Sequence, residues 1–159
     1  MNIDIICVGK IKEKYLIDAI TEYSKRLSRY CNLNILEVAD EKTDENSSDA
    51  LVDKIKKTEA ERILKYIKKG AHVITLEING KMMTSPELAN KIQDIGTYGV
   101  NDIQFIIGGS LGLHDTVICE ANTHLSFSKM TFPHQLMRVI LLEQIYRSYR
   151  IINNEPYHK

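Results

Sequence analysis

Hydrophobic positions along the chain change their period at regular intervals. Short runs rich in β-branched residues, over 3–8, 33–38, 73–78, 103–107 and 123–127, read as strands. Between them, apolar residues return every three or four positions over 13–29, 48–68, 86–96 and 113–120, and again over 133–150, which predicts helices. In the second helix Leu51, Ile55, Ile63, Leu64 and Ile67 share one stripe, with Lys and Glu filling the rest. Gly70, Gly96 and Gly99 stand where helices should stop. Thr84-Ser85-Pro86-Glu87 offers a hydroxyl cap followed by a first-turn proline. Five β-α units with short connections predict one α/β domain over residues 1–159, a mostly parallel sheet with helices on both faces. Ligands of such sheets bind at the carboxyl ends of the strands.

The final helix departs from the pattern. Leu136, Met137, Val139, Ile140, Leu141, Leu142, Ile145, Tyr146 and Tyr149 cover more than one of its faces. A helix apolar nearly all round is buried on both sides. One side facing the sheet and the other a second subunit makes a homodimer the expected state; a deep core helix is the alternative.

Composition narrows the class. A chain of 159 residues with 43% hydrophobic and 26% charged residues can bury a core, which excludes disordered and fibrous proteins. The longest apolar run, 139–142, is too short to cross a bilayer, so no membrane partner is expected. Residues 1–4 lead directly into a strand without a basic segment or cleavage site, and a cytoplasmic location is expected. Cys7, Cys31 and Cys119 are scattered, and the five histidines have no ligand spacing, so no disulfide framework or metal site is expected. A net charge of zero argues against a protein that coats DNA or other nucleic acid indiscriminately. That zero hides segregation: seven acids against Lys42 over 37–53, then seven bases against Glu59 and Glu61 over 54–69. Solvated surface explains both runs, while the basic face remains a candidate RNA contact.

Three loops could carry chemistry. The turn after the first strand, Val8-Gly9-Lys10, has neither a dinucleotide-binding glycine pattern nor a P-loop, which disfavours a nucleotide-dependent oxidoreductase or hydrolase. The fourth strand instead runs into Gly108-Gly109-Ser110-Leu111-Gly112, either a tight turn or backbone that closely approaches a ligand. His114 and Asp115 then serve the start of the next helix. The third strand ends Thr75-Leu76-Glu77-Ile78-Asn79-Gly80-Lys81, of interest only if it borders the same pocket. The stretch before the last helix interleaves Ser126, Ser128 and Thr131 with Phe127, Met130 and Phe132. Helix capping explains Thr131 alone; apolar side chains alternating with backbone donors suit a flat ring with polar edges, such as adenosine. Beyond the last helix lie Tyr157, His158 and Lys159, an aromatic, a histidine and a cation suited to RNA, with Arg138, Arg147 and Arg150 nearby.

The run I-I-G-G-x-x-G over 106–112, S-F-S-K-M-T-F-P-H-Q-L-M-R over 126–138 and the terminal N-E-P-Y-H-K together closely resemble the ribosomal RNA large-subunit methyltransferase H family. These are SPOUT-class enzymes whose C-terminal part threads through itself as a trefoil knot. The resemblance covers the whole chain and implies S-adenosyl-L-methionine as cofactor. Its three loops would match Leu76, Gly108 and the run Phe127, Ser128, Lys129, Met130, Thr131 and Phe132. Phe127 stands where a leucine is expected, and both are apolar. The implied substrate is a pseudouridine in the helix 69 loop of 23S rRNA, methylated at N3 on the assembled ribosome. The implied enzyme is an obligate homodimer, its site completed by the partner's C-terminal residues. The catalytic candidates are His134 or His158 for proton handling, Arg138 for charge stabilisation or phosphate binding, and Tyr157 for positioning the base. Capping by His134 and pairing of Arg138 with an acid across the dimer are their structural alternatives. A non-catalytic ribosome-binding module on the same fold is the alternative to the enzyme.

Overall fold

A computed structural model describes residues 1–159. The strands are β1 (Asn2–Val8), β2 (Asn32–Val38), β3 (His72–Met82), β4 (Asp102–Ile107) and β5 (Thr123–Ser126). The helices are α1 (Lys14–Leu27), α2 (Asp49–Leu64), α3 (Ser85–Thr97), α4 (Asp115–Ile118) and α5 (His134–Ile152). All strand pairs are parallel, in the order β2-β1-β4-β3-β5.

Alternation along the strands divides the core into two layers. Ile3, Ile5 and Cys7 of β1, with Ile103, Phe105 and Ile107 of β4, meet α1, α3 and α5 on one face. Ile6, Val8 and Ile106 meet α2 and α4 on the other. Within the first layer α5 packs against both α1 and α3. One chain therefore already buries Leu141, Leu142, Ile145 and Tyr149, while Leu136 remains 37% exposed.

Several boundaries differ from the expected ones. The second helix ends at Leu64, short of 68 and of Gly70, because a buried polar tie claims the next turn. Gln104 Nε2 donates to the Tyr66 carbonyl and to Asp4 Oδ2, the Lys68 N–H donates to Gln104 Oε1, and Lys68 Nζ pairs with Asp4 at 2.8 Å. Burial opposes ionisation of Asp4, but hydrogen bonds from Lys68, Asn34 and Gln104 outweigh it and hold the carboxyl below its ordinary range. Leu51, placed on the apolar stripe, is 43% exposed. Gly96 lies inside α3, and Gly99, at φ 86°, takes the left-handed turn beyond it. α4 is a single turn, capped by the His114 side chain, which accepts the Thr116 N–H. β3 continues past 78 to Met82. Its pairing with β5 stops at Leu76↔Leu125 and resumes at Lys81↔Leu125, so the intervening residues bulge. Gly80 is required there, since a Cβ would lie 2.7 Å from the Leu125 carbonyl carbon.

Candidate active site

The bulge after Leu76, the glycine-rich loop after β4 and the loop between β5 and α5 converge on one cavity of about 670 Å³. Leu76, Gly108, Phe127, Ser128, Met130, Thr131, Phe132 and His134 all line it. Lys129 does not; its side chain is exposed outside the lining. Ile107, Leu113 and Met137 add apolar wall.

Local chemistry shapes each loop. A Cβ on Gly108 would sit 2.8 Å from the Gly112 carbonyl carbon, so the chain can fold back only without a side chain there. Gly112 is left-handed at φ 84°, and its N–H closes the turn on the Gly109 carbonyl at 3.1 Å. Beneath Gly109 lies Glu59, buried on α2, whose carboxylate accepts the Glu41 N–H. Burial, followed by the charges of Asp40 and Glu41, pushes its pKa up against opposing hydrogen-bond and Arg62 effects.

The hydroxyls of the third loop hold its backbone. Ser126 Oγ donates to the Ile78 carbonyl at 2.9 Å, tying this loop to the β3 bulge. Ser128 Oγ accepts the Met130 N–H at 3.0 Å. The N-cap of α5 is Pro133 with no side-chain hydrogen bond, so neither Thr131 nor His134 caps this helix, and both face the cavity.

Lys56, Glu77 and His134 are the titratable side chains in the lining. His134 is half-buried; desolvation and then the positive charge of Arg138 hold its pKa below the ordinary value, against a weaker pull from Asp40. Arg138 points away from the cavity. Its guanidinium donates to Glu37 Oε2 at 2.6 Å and to the Val8 and Gly9 carbonyls at 2.9 and 2.6 Å. It is an intrachain tie between α5 and the ends of β1 and β2, not a free cation.

Tyr157 and His158 form a second cluster near the far end of α5. Tyr157 donates to Glu143 Oε1 at 3.1 Å, Arg147 lies 4.6 Å over its ring, and His158 Nδ1 is 3.3 Å from Arg147. Burial, reinforced by Glu143, pushes the Tyr157 phenol up to about 12. Thirteen helical steps separate His134 from Arg147, about 20 Å at 1.5 Å each, so the fold does not bring the four proposed catalytic residues together in one chain. Arg147, expected as a cation near the C-terminal residues, stands in the Tyr157 cluster, whereas Glu77, Lys56 and Glu143 were not singled out from sequence. Only the position of Glu77 beside Leu76 offered a signal.

Residues 1–158 match the family described as "Predicted SPOUT methyltransferase". The ribosomal RNA large subunit methyltransferases H of Bifidobacterium adolescentis and Bifidobacterium animalis subsp. lactis are 64% and 61% identical to the chain over the whole of both sequences. A Methanococcus maripaludis protein provisionally given the same name is 68% identical over its full length. A solved structure of a probable methylase family protein from Haemophilus influenzae Rd KW20 shares the fold at TM-score 0.58 and 16% identity, covering 99% of this chain and 70% of that one.

Proposed function

The chain belongs to the SPOUT methyltransferase family, and on that premise we propose that it methylates N3 of a pseudouridine in the helix 69 loop of 23S rRNA on the assembled ribosome. The observation that carries this reading is the convergence of three loops on one cavity at the carboxyl ends of the strands. Its volume suits a nucleoside-sized ligand, its walls are largely apolar, and Gly108 lets the loop fold tightly back on Gly112 at the cavity wall. These features fit S-adenosyl-L-methionine, with Leu76, Gly108, Phe127, Met130, Thr131 and Phe132 forming its bed and Ser128 fixing the last loop. When bound, that cofactor supplies a methyl group activated on a sulfonium.

The chain's own residues supply position and proton handling. A pseudouridine N3 attacks well only after losing its proton. His134, kept neutral by its surroundings and lining the cavity, is the acceptor that the fold favours. Tyr157, a phenol that stays protonated, positions the base by stacking and donation, with His158 and Arg147 beside it to meet phosphate. Since Tyr157 is held by Glu143 and Arg147, about 14 to 20 Å along α5 from His134, a complete site needs a second copy, which supports a homodimer. The exposed Leu136 and half-exposed Val139 and Ile140 on α5 suit that contact. We also infer a trefoil knot, supported by the return of α5 from the β5 edge to the end of β1 through Arg138. No helix is long and apolar enough to cross a membrane, and a ribosomal substrate would place the protein in the cytoplasm.

Transfer of labelled methyl from S-adenosylmethionine to ribosomes lacking the modification tests the reading, with free rRNA and isolated large subunits alongside. Label in one helix 69 pseudouridine, on assembled particles only, is expected. Cofactor binding without transfer to any substrate would favour the ribosome-binding module instead. Removal of Tyr157, His158 and Lys159 is expected to abolish transfer and leave cofactor affinity within about twofold.

A further inference from the structure

Among the residues lining the cavity Glu77 is the one carboxylate. Its Oε2 is 2.5 Å from both Thr75 Oγ1 and His124 Nδ1. A carboxylate accepts only, so His124 must carry its proton on Nδ1. Thr75 is fully buried and its hydroxyl also lies 3.3 Å from that nitrogen, so side chains of β3 and β5 close together on a single carboxylate oxygen. The arrangement fixes the Glu77 side chain, which is 18% exposed, and leaves Oε1 without a hydrogen bond from the chain. Glu77 also stands at the start of the bulge, where β3 leaves its pairing with β5 and turns its residues toward the cavity. Lys56, the one Lys or Arg in the lining, belongs to α2 rather than to this strand. A fixed carboxylate with one free oxygen, set beside largely apolar walls, attracts a cationic ligand more strongly than a neutral one of the same shape.

We propose that Glu77, positioned by Thr75 and His124, makes the cavity prefer the cationic sulfonium cofactor to its neutral thioether product. The inference rests on the methyltransferase reading and deepens it. Loss of the methyl group removes the one charge by which the two ligands differ, so the spent cofactor is held less tightly and fresh cofactor displaces it.

The test is calorimetric titration of the full chain with S-adenosylmethionine and, separately, S-adenosylhomocysteine. Glu77→Gln is expected to lose about tenfold in affinity for the sulfonium ligand while staying within about twofold for the thioether. Glu77→Asp should keep most of the preference. The double variant Thr75→Val with His124→Gln retains the charge but frees its side chain, and should fall between. Urea midpoints for each variant show whether the fold is intact. Equal weakening of both ligands by Glu77→Gln would mean a contact to their shared ribose or amino-acid part and would overturn the proposal, as would no change in either. Should the wild-type chain bind neither ligand, the cofactor reading falls and this one with it.

Discussion

Arg138 is the largest side chain the fold buries completely; its two terminal nitrogens are tied to Glu37, Val8 and Gly9 inside the chain, while its buried Nε has no partner. Replacing it with methionine leaves the Val8 and Gly9 carbonyls unpaired while Glu37, partly exposed, rehydrates. We expect a loss of about 2–4 kcal/mol of stability, read from urea unfolding. His134 has a different signature. Its pKa is lowered in the fold, so the unfolded chain binds protons first, and the stabilisation it contributes is full above about pH 6.5 and is lost as pH falls through its lower folded value. His134→Gln should therefore flatten the fall in stability below about pH 6.5. Part of the slope should persist, because burial also lowers the pKa of His72. At this scale the sequence told less. Helical spacing places His134 and Arg138 a turn apart, but no pattern says that the arginine turns inward, since its partners Glu37, Val8 and Gly9 are 101 to 130 positions away.

Elements were more legible where their signals are local. The capping box of α3 is complete: Thr84 Oγ1 accepts the Glu87 N–H, and Glu87 accepts the Thr84 N–H. Thr84→Ala should cost about 1 kcal/mol, measured as a lowered urea midpoint with the same slope. Strand identities could be read from β-branched runs because both faces of a parallel sheet are covered. What could not be read depends on distant partners. The early end of α2 is set by Gln104 and Asp4 on other strands, and the extension of β3 through Asn79 and Gly80 resembles a turn in sequence and a bulge in space. The glycine-rich loop left two meanings open until Gly108 was seen against Gly112.

At the scale of the whole molecule, the separation of His134 from the Tyr157 cluster leads to a test of sharing between subunits. A chain with Gly108→Val should not bind cofactor, and a chain lacking Tyr157, His158 and Lys159 should bind but not transfer. Mixed and refolded in equal amounts, they should regain about a quarter of wild-type transfer, since half the dimers are mixed and each holds one whole site. No recovery would place each site within one chain. A net charge of zero suits recognition of a structured particle by shape better than capture of free RNA by charge. The tie made by Arg138 also has a consequence in time. Its acceptors Val8 and Gly9 precede it by 130 and 129 positions. Translation at roughly 5–20 residues per second leaves those carbonyls waiting on the order of ten seconds for their guanidinium. Until then the nascent sheet shows open backbone and an uncovered apolar face to chaperones, proteases and stray strands alike. The hazard in the life of this protein is a matter of scheduling, concentrated in the interval before α5 is seated.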